Sequence, residues 1–177
     1  GSEAPIPTEV VARNLSSVRR RRKRINHFSF LSSEFVDSDG LFRLLGKKLK
    51  KLYVREMAIN HTMPSMRNDE LISLSSFLNG NKTLRSLDLS GARFDAKALQ
   101  EIRSFFEKNR SLEVLVLGDN ECVGDEGAEI VVSSTLHNGK GALRTLSMQG
   151  CGLGHQGSAS IANLLCFCSS LRTLELS

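Results

Sequence analysis

Six short stretches place apolar residues at their first, fourth and sixth positions: "INHFSF" from Ile25, "LKKLYV" from Leu49, "LRSLDL" from Leu84, "LEVLVL" from Leu112, "LRTLSM" from Leu143 and "LRTLEL" from Leu171. The last four starts are nearly evenly spaced, while the first interval is short and the second long. The alternation at the fourth and sixth positions predicts a short strand with one buried face. Between the strands the apolar spacing becomes helical. "DAKALQEIRSFFEKN" sets Leu99, Ile102, Phe105 and Phe106 on one stripe behind Asp95, a side chain suited to cap the helix. "NDELISLSSFLNG" does the same with Leu71, Leu74 and Phe77 before Gly80, "GDEGAEIVVSSTL" with Ile130, Val131 and Leu136, and "GHQGSASIANLL" with Ile161, Leu164 and Leu165.

Each unit is thus one strand and one helix, and neither element buries its apolar face alone. Stacking successive units into one continuous core solves that problem. The frame L-x-x-L-x-L-x-x-(N/C), with "VGDEGAEIV" after "LEVLVLGDNEC", resembles the leucine-rich repeats of the ribonuclease-inhibitor-like subclass, whose units run about 28 to 29 residues. The likeness covers residues 25–177 and is strongest from residue 84. It implies an α/β leucine-rich-repeat horseshoe, a solenoid with a parallel inner β-sheet and outer helices. For function it implies only a range: related repeats serve in inhibitors, GTPase activators, innate immune sensors and actin regulators.

The ninth position, where an Asn or Cys side chain ties neighbouring turns, is Asn120 and Cys151 in two units but Ser33, Met57 and Ala92 in the earlier ones. The first three units are therefore expected to be less regular. The excess length of the second is expected in "MAINHTMPSMRN". "LRTLELS" opens a sixth unit with no helix behind it, which reads as a C-terminally truncated array; a bare closing strand is also a template for self-association. At the other end, Val11, Leu15 and Val18 form a narrow apolar stripe, so residues 1–24 read as a basic capping helix or arm before a repeat domain at 25–177.

In such an array the third, fifth and seventh positions of each strand face outward along a concave surface. Most here are small and uncharged. The exception is Tyr53, Arg55 and Asp88, with Lys51 beside them; Val116 and Glu175 extend the same surface. Tyr and Arg are enriched in binding hot spots, so these six residues are the candidate protein-binding set. The plainer reading is an Arg55–Asp88 cross-strand salt bridge worth ~0–1 kcal/mol.

Charge changes the picture at one end. Of the formal +5, residues 1–55 carry a net +8 and residues 56–177 a net −3. The run Arg19, Arg20, Arg21, Arg22, Lys23, Arg24 reads as an import signal, as a patch for nucleic acid or an acidic partner, or as a solvated helix end. It has no interleaved aromatics and no recognised reading module. Four cysteines confined to the last third lack a disulfide framework and read as reduced thiols of an intracellular protein, cytoplasmic or nuclear. Asn14, Asn60, Asn81 and Asn109 each begin an Asn-x-Ser/Thr triplet. "NKTL" and "NRSL" recur at one place in the repeat, which gives those two a plainer origin than glycosylation.

No nucleophile elbow, phosphate loop or metal-ligand helix occurs, and "GDEG" at 124–127 is a helix-start turn. Cys122 and His137 stand in no thiol-activating motif, and Ser90, Ser147 and His27 belong to different units, too far apart for a triad. The expectation is a non-catalytic protein-interaction module with no cofactor, metal or membrane association, serving as scaffold or sensing arm of a larger protein. Nucleic-acid association through the basic run is the alternative, and GTPase regulation a weaker one.

Overall fold

The computed structural model describes residues 24–32, 53–61, 68–139 and 142–176. Its elements run β1 (Arg24–Ser32), β2 (Tyr53–His61), α1 (Asn68–Gly80), β3 (Ser86–Asp88), α2 (Ala96–Lys108), β4 (Val114–Val116), α3 (Gly124–Asn138), β5 (Thr145–Ser147), α4 (His155–Phe167) and β6 (Thr173–Glu175). The six strands form one parallel sheet in sequence order, β1-β2-β3-β4-β5-β6. From β3 onward each strand returns to the next through a helix, and successive helices pack side by side on one face.

The ladder register corrects the reading of the second unit. Leu87 pairs with Met57, and Met57 with Phe28. The fourth position of that unit is therefore Met57, and its frame is "VREMAI" from Val54, not "LKKLYV" from Leu49. The paired fourth positions are then Phe28, Met57, Leu87, Leu115, Leu146 and Leu174, an almost even series. The excess length of the second unit disappears, since 57–61 of the supposed insertion belong to β2. Met57 is not a ninth position either, and the early units are as evenly spaced as the later ones. Ser33, the 1–23 arm and Lys51 lie outside the described residues.

Inward positions build the core as the spacing predicts. Leu87, Leu115 and Leu146 align across three strands, all essentially inaccessible, with Leu89, Leu117 and Met148 behind them. Burying each such side chain contributes about 1.5–3 kcal/mol. Leu71, Leu74 and Phe77 of α1, the whole predicted stripe of α2, Ile130 and Val131 of α3, and Ile161 and Leu164 of α4 close the layer, with Leu136 partly buried. Leu165 departs from its stripe and is 57% exposed, together with Phe167 at 74%.

Side chains of one unit tie down the backbone of the next. Asp95 caps α2, its Oδ1 accepting from Ala98 N at 2.7 Å. Helix α4 lacks a side-chain cap of its own. Asp125, from the first turn of α3, supplies it: Oδ1 accepts from Gly154 N at 2.6 Å and Gly157 N at 2.8 Å, which holds this carboxyl below its ordinary range. At the ninth position, Asn120 Oδ1 accepts from Phe94 N at 2.9 Å, and Nδ2 donates to the carbonyls of Leu89, Leu117 and Gly118. The Cys151 thiol donates to Leu117 O at 3.1 Å; burial pushes its pKa up.

A second ladder runs where each helix turns into the next strand. Asn81 and Asn109 each accept from the backbone N–H groups two and three residues ahead. Asn109 Nδ2 donates back to Asn81 O, and Asn138 Nδ2 to Asn109 O. Both triplet asparagines are thus buried structural residues, which bears out the plainer origin of "NKTL" and "NRSL".

Candidate binding surface

The sheet face turned away from the helices is built from the third and fifth positions of each unit. Strand pairing arranges them in columns. Ser86, Val114, Thr145 and Thr173 form one, and Asp88, Val116, Ser147 and Glu175 the next. Adjacent members stand about 4.8 Å apart along the sheet. Ser86, Asp88, Val114, Val116 and Thr145 are half-buried, Ser147 is buried, and Thr173 and Glu175 are exposed. The surface is small-residued and largely uncharged, with a carboxylate towards each end of the second column.

The Asp88 carboxylate is locally engaged: Oδ1 accepts from Ser90 N at 2.9 Å and from Ser90 Oγ at 2.6 Å. This closes the turn leading to Gly91, whose φ of +62° is the left-handed conformation that glycine adopts without penalty. Asp119 occupies the matching position with φ +58°, and Gly150 with φ +62°.

Of the residues singled out in the sequence, Asp88 and Val116 are direct strand neighbours, and Glu175 continues their column beyond Ser147. Tyr53 and Arg55 do not join them. Ala58 is the partner of Asp88 and Glu56 that of Ser86, so Arg55 lies three residues before the level of Asp88 and Tyr53 five; Tyr53 is instead paired with Arg24. The expected Arg55–Asp88 cross-strand pair is thus out of register. Of the basic run, only Arg24 falls among the described residues, as the first residue of β1.

Sequence reasoning passed over Arg85, Arg144 and Arg172. Their signal was in plain view, because "LRSL", "LRTL" and "LRTL" repeat an arginine at the second position.

Among the described residues no three His, Cys, Asp or Glu side chains group to hold a metal ion, and no helix is long and apolar enough to cross a membrane. The family model for the leucine-rich repeat matches residues 80–102 and 108–129, the units containing β3 with α2 and β4 with α3. No curated protein matches the chain. With the parallel sheet and its helical layer, these two matched repeats fit an α/β leucine-rich-repeat solenoid fold. Such repeats are generally protein-interaction modules and typically non-catalytic.

Proposed function

We propose that this chain is a non-catalytic interaction module of an intracellular protein, binding a protein partner across the open face of its sheet. The observation that carries the reading is the column Asp88, Val116, Ser147 and Glu175, fixed in spacing by the strand ladder. A surface ordered before binding loses less conformational entropy on association than a flexible one. The even series of fourth positions, and Asn120 and Cys151 at ninth positions, support the ribonuclease-inhibitor-like subclass. Free thiols at Cys122, Cys151, Cys166 and Cys168 support a reducing compartment.

The test is affinity capture from nuclease-treated extract with the chain and with its Asp88→Ala, Val116→Ala, Glu175→Ala variant, followed by titration of any purified captured protein. A protein bound by the first and at least tenfold more weakly by the folded variant is the expected result. Equal binding to both would remove the open face from consideration.

A further inference from the structure

Charge in this solenoid is segregated along the strand direction. From β3 onward every helix begins after the carboxyl end of one strand and finishes before the amino end of the next. The helix-start edge carries Asp95, Asp119, Glu121, Asp125 and Glu126, against Arg93 and Lys97. The opposite edge carries Lys82, Arg85, Lys108, Arg110, Arg144 and Arg172, against Glu107 and Glu113. Aligned helix dipoles favour this arrangement for residues in the terminal turns. They do not explain arginines at the second position of the strand units.

Those arginines stand in one ladder. Glu113 N donates to Arg85 O at 2.7 Å, Arg144 N to Glu113 O at 2.8 Å, and Arg172 N to Arg144 O at 2.7 Å. The column Arg85, Glu113, Arg144, Arg172 spans about 15 Å at the ordinary strand spacing. Arg85 pairs with Glu113 at 3.2 Å. Arg172 is oriented by Nη1, which donates to Ser169 O at 2.8 Å and Leu171 O at 3.0 Å. The exposed Arg144 guanidinium has no side-chain partner among the described residues. Two neighbouring exposed guanidinium groups, one held and one free, form a site for carboxylates, which arginine engages through paired N–H donors.

We infer that this edge docks an acidic stretch of polypeptide, with Arg144 and Arg172 taking its carboxylates; the inference rests on the reading of the chain as a protein-interaction module and names the chemistry of its partner. Glu113, placed between Arg85 and Arg144, opposes a uniformly charged phosphodiester but accepts a peptide that offers a neutral or basic residue at that point. Phe105 and Phe106 near the end of α2 are buried, whereas Phe167, five residues before Arg172, is exposed, so stacking of bases is what the octathymidylate arm of the test measures.

The experiment is fluorescence anisotropy of a fluorescein-labelled peptide of eight glutamates interrupted at its centre by a glycine pair, and of an octathymidylate of similar charge, with the full chain. It is repeated with Arg144→Gln plus Arg172→Gln, and with the charge-matched control Arg93→Gln plus Lys97→Gln from the other edge. All four side chains belong to exposed residues, and circular dichroism checks that each variant is folded. Expected is a loss of at least tenfold in affinity for the acidic peptide in the first variant, less than twofold in the second, and weaker binding of octathymidylate throughout. Equal losses in both variants, or none, would overturn the inference and direct attention to the Arg19–Arg24 run. Tighter octathymidylate binding that vanishes with Arg144 and Arg172 would overturn it in favour of nucleic acid. A captured partner that depends on Asp88, Val116 and Glu175 but not on Arg144 and Arg172 would sink the edge and leave the open-face reading standing.

Discussion

Replacing Asn120 with alanine removes a side chain that makes four hydrogen bonds, two of which, from Phe94 N and to Leu89 O, join the unit of β4 to the unit of β3. The cost depends on what the lost amide leaves behind. Leu89 O keeps a bond from Ala92 N, Gly118 O keeps one from Gly91 N, and Leu117 O keeps the Cys151 thiol. Phe94 N has no such substitute, and Phe94 is fully buried. Stranding one buried N–H costs about 1–3 kcal/mol, and three weakened carbonyls add on the order of 1 more. Urea unfolding should therefore show a loss of about 2–4 kcal/mol at unchanged m-value. Cys151→Ala, which deletes a single weak S–H donor, should cost no more than about 1 kcal/mol. Asn120→Asp keeps an acceptor for Phe94 N but turns a second oxygen towards three carbonyls. That raises the carboxyl pKa in the folded state, so its destabilisation should be full at neutral pH and ease as pH falls. If Asn120→Ala instead behaves like an inconsequential surface substitution, within about 0.5 kcal/mol of the parent, the idea that ninth-position amides hold the units together is refuted.

Three further outcomes are expected. Exposed Cys122 and Cys166 should react with Ellman's reagent within minutes in the native protein, half-buried Cys168 more slowly, and Cys151 only in denaturant, since burial both shields its thiol and raises its pKa; rapid labelling of all four would contradict the packing. The Asp125 carboxyl is held below its ordinary range by Gly154 and Gly157, so its contribution is present above the unfolded-state value of ~3.9 and lost as pH falls through the folded one. Thermal midpoints of Asp125→Asn should fall below the parent at pH 7 and converge with it in acid; a constant gap would exclude the linkage. Gly91 and Gly152 have nearly equal φ of +62° and +64°, but a Cβ meets nothing within 4 Å at the first and overlaps the Glu121 carbonyl oxygen at the second. Gly91→Ala should cost about 1 kcal/mol from backbone conformation alone, Gly152→Ala clearly more, and equal melting temperatures would show that the overlap relaxes freely.

The sequence by itself determined the repeat, the strand-and-helix unit, the inward leucines and the α2 cap at Asp95. Each of these is local, set by period and by residues within one turn of each other. It did not determine which frame the second unit uses. Leu49, Leu52 and Val54 fit the apolar spacing, and Val54, Met57 and Ile59 fit it equally well. Only pairing with both neighbours selects the latter, and because the frame moves from Leu49 to Val54, an odd step, it exchanges the two faces of the strand. That exchange is why Tyr53 and Arg55 looked like neighbours of Asp88 and are not. The arginine ladder and the charge split between the edges were likewise beyond a linear reading. Arg85, Arg144 and Arg172 belong to three different units, each separated from the next by at least one whole helix, and only the stacking of units makes them one surface.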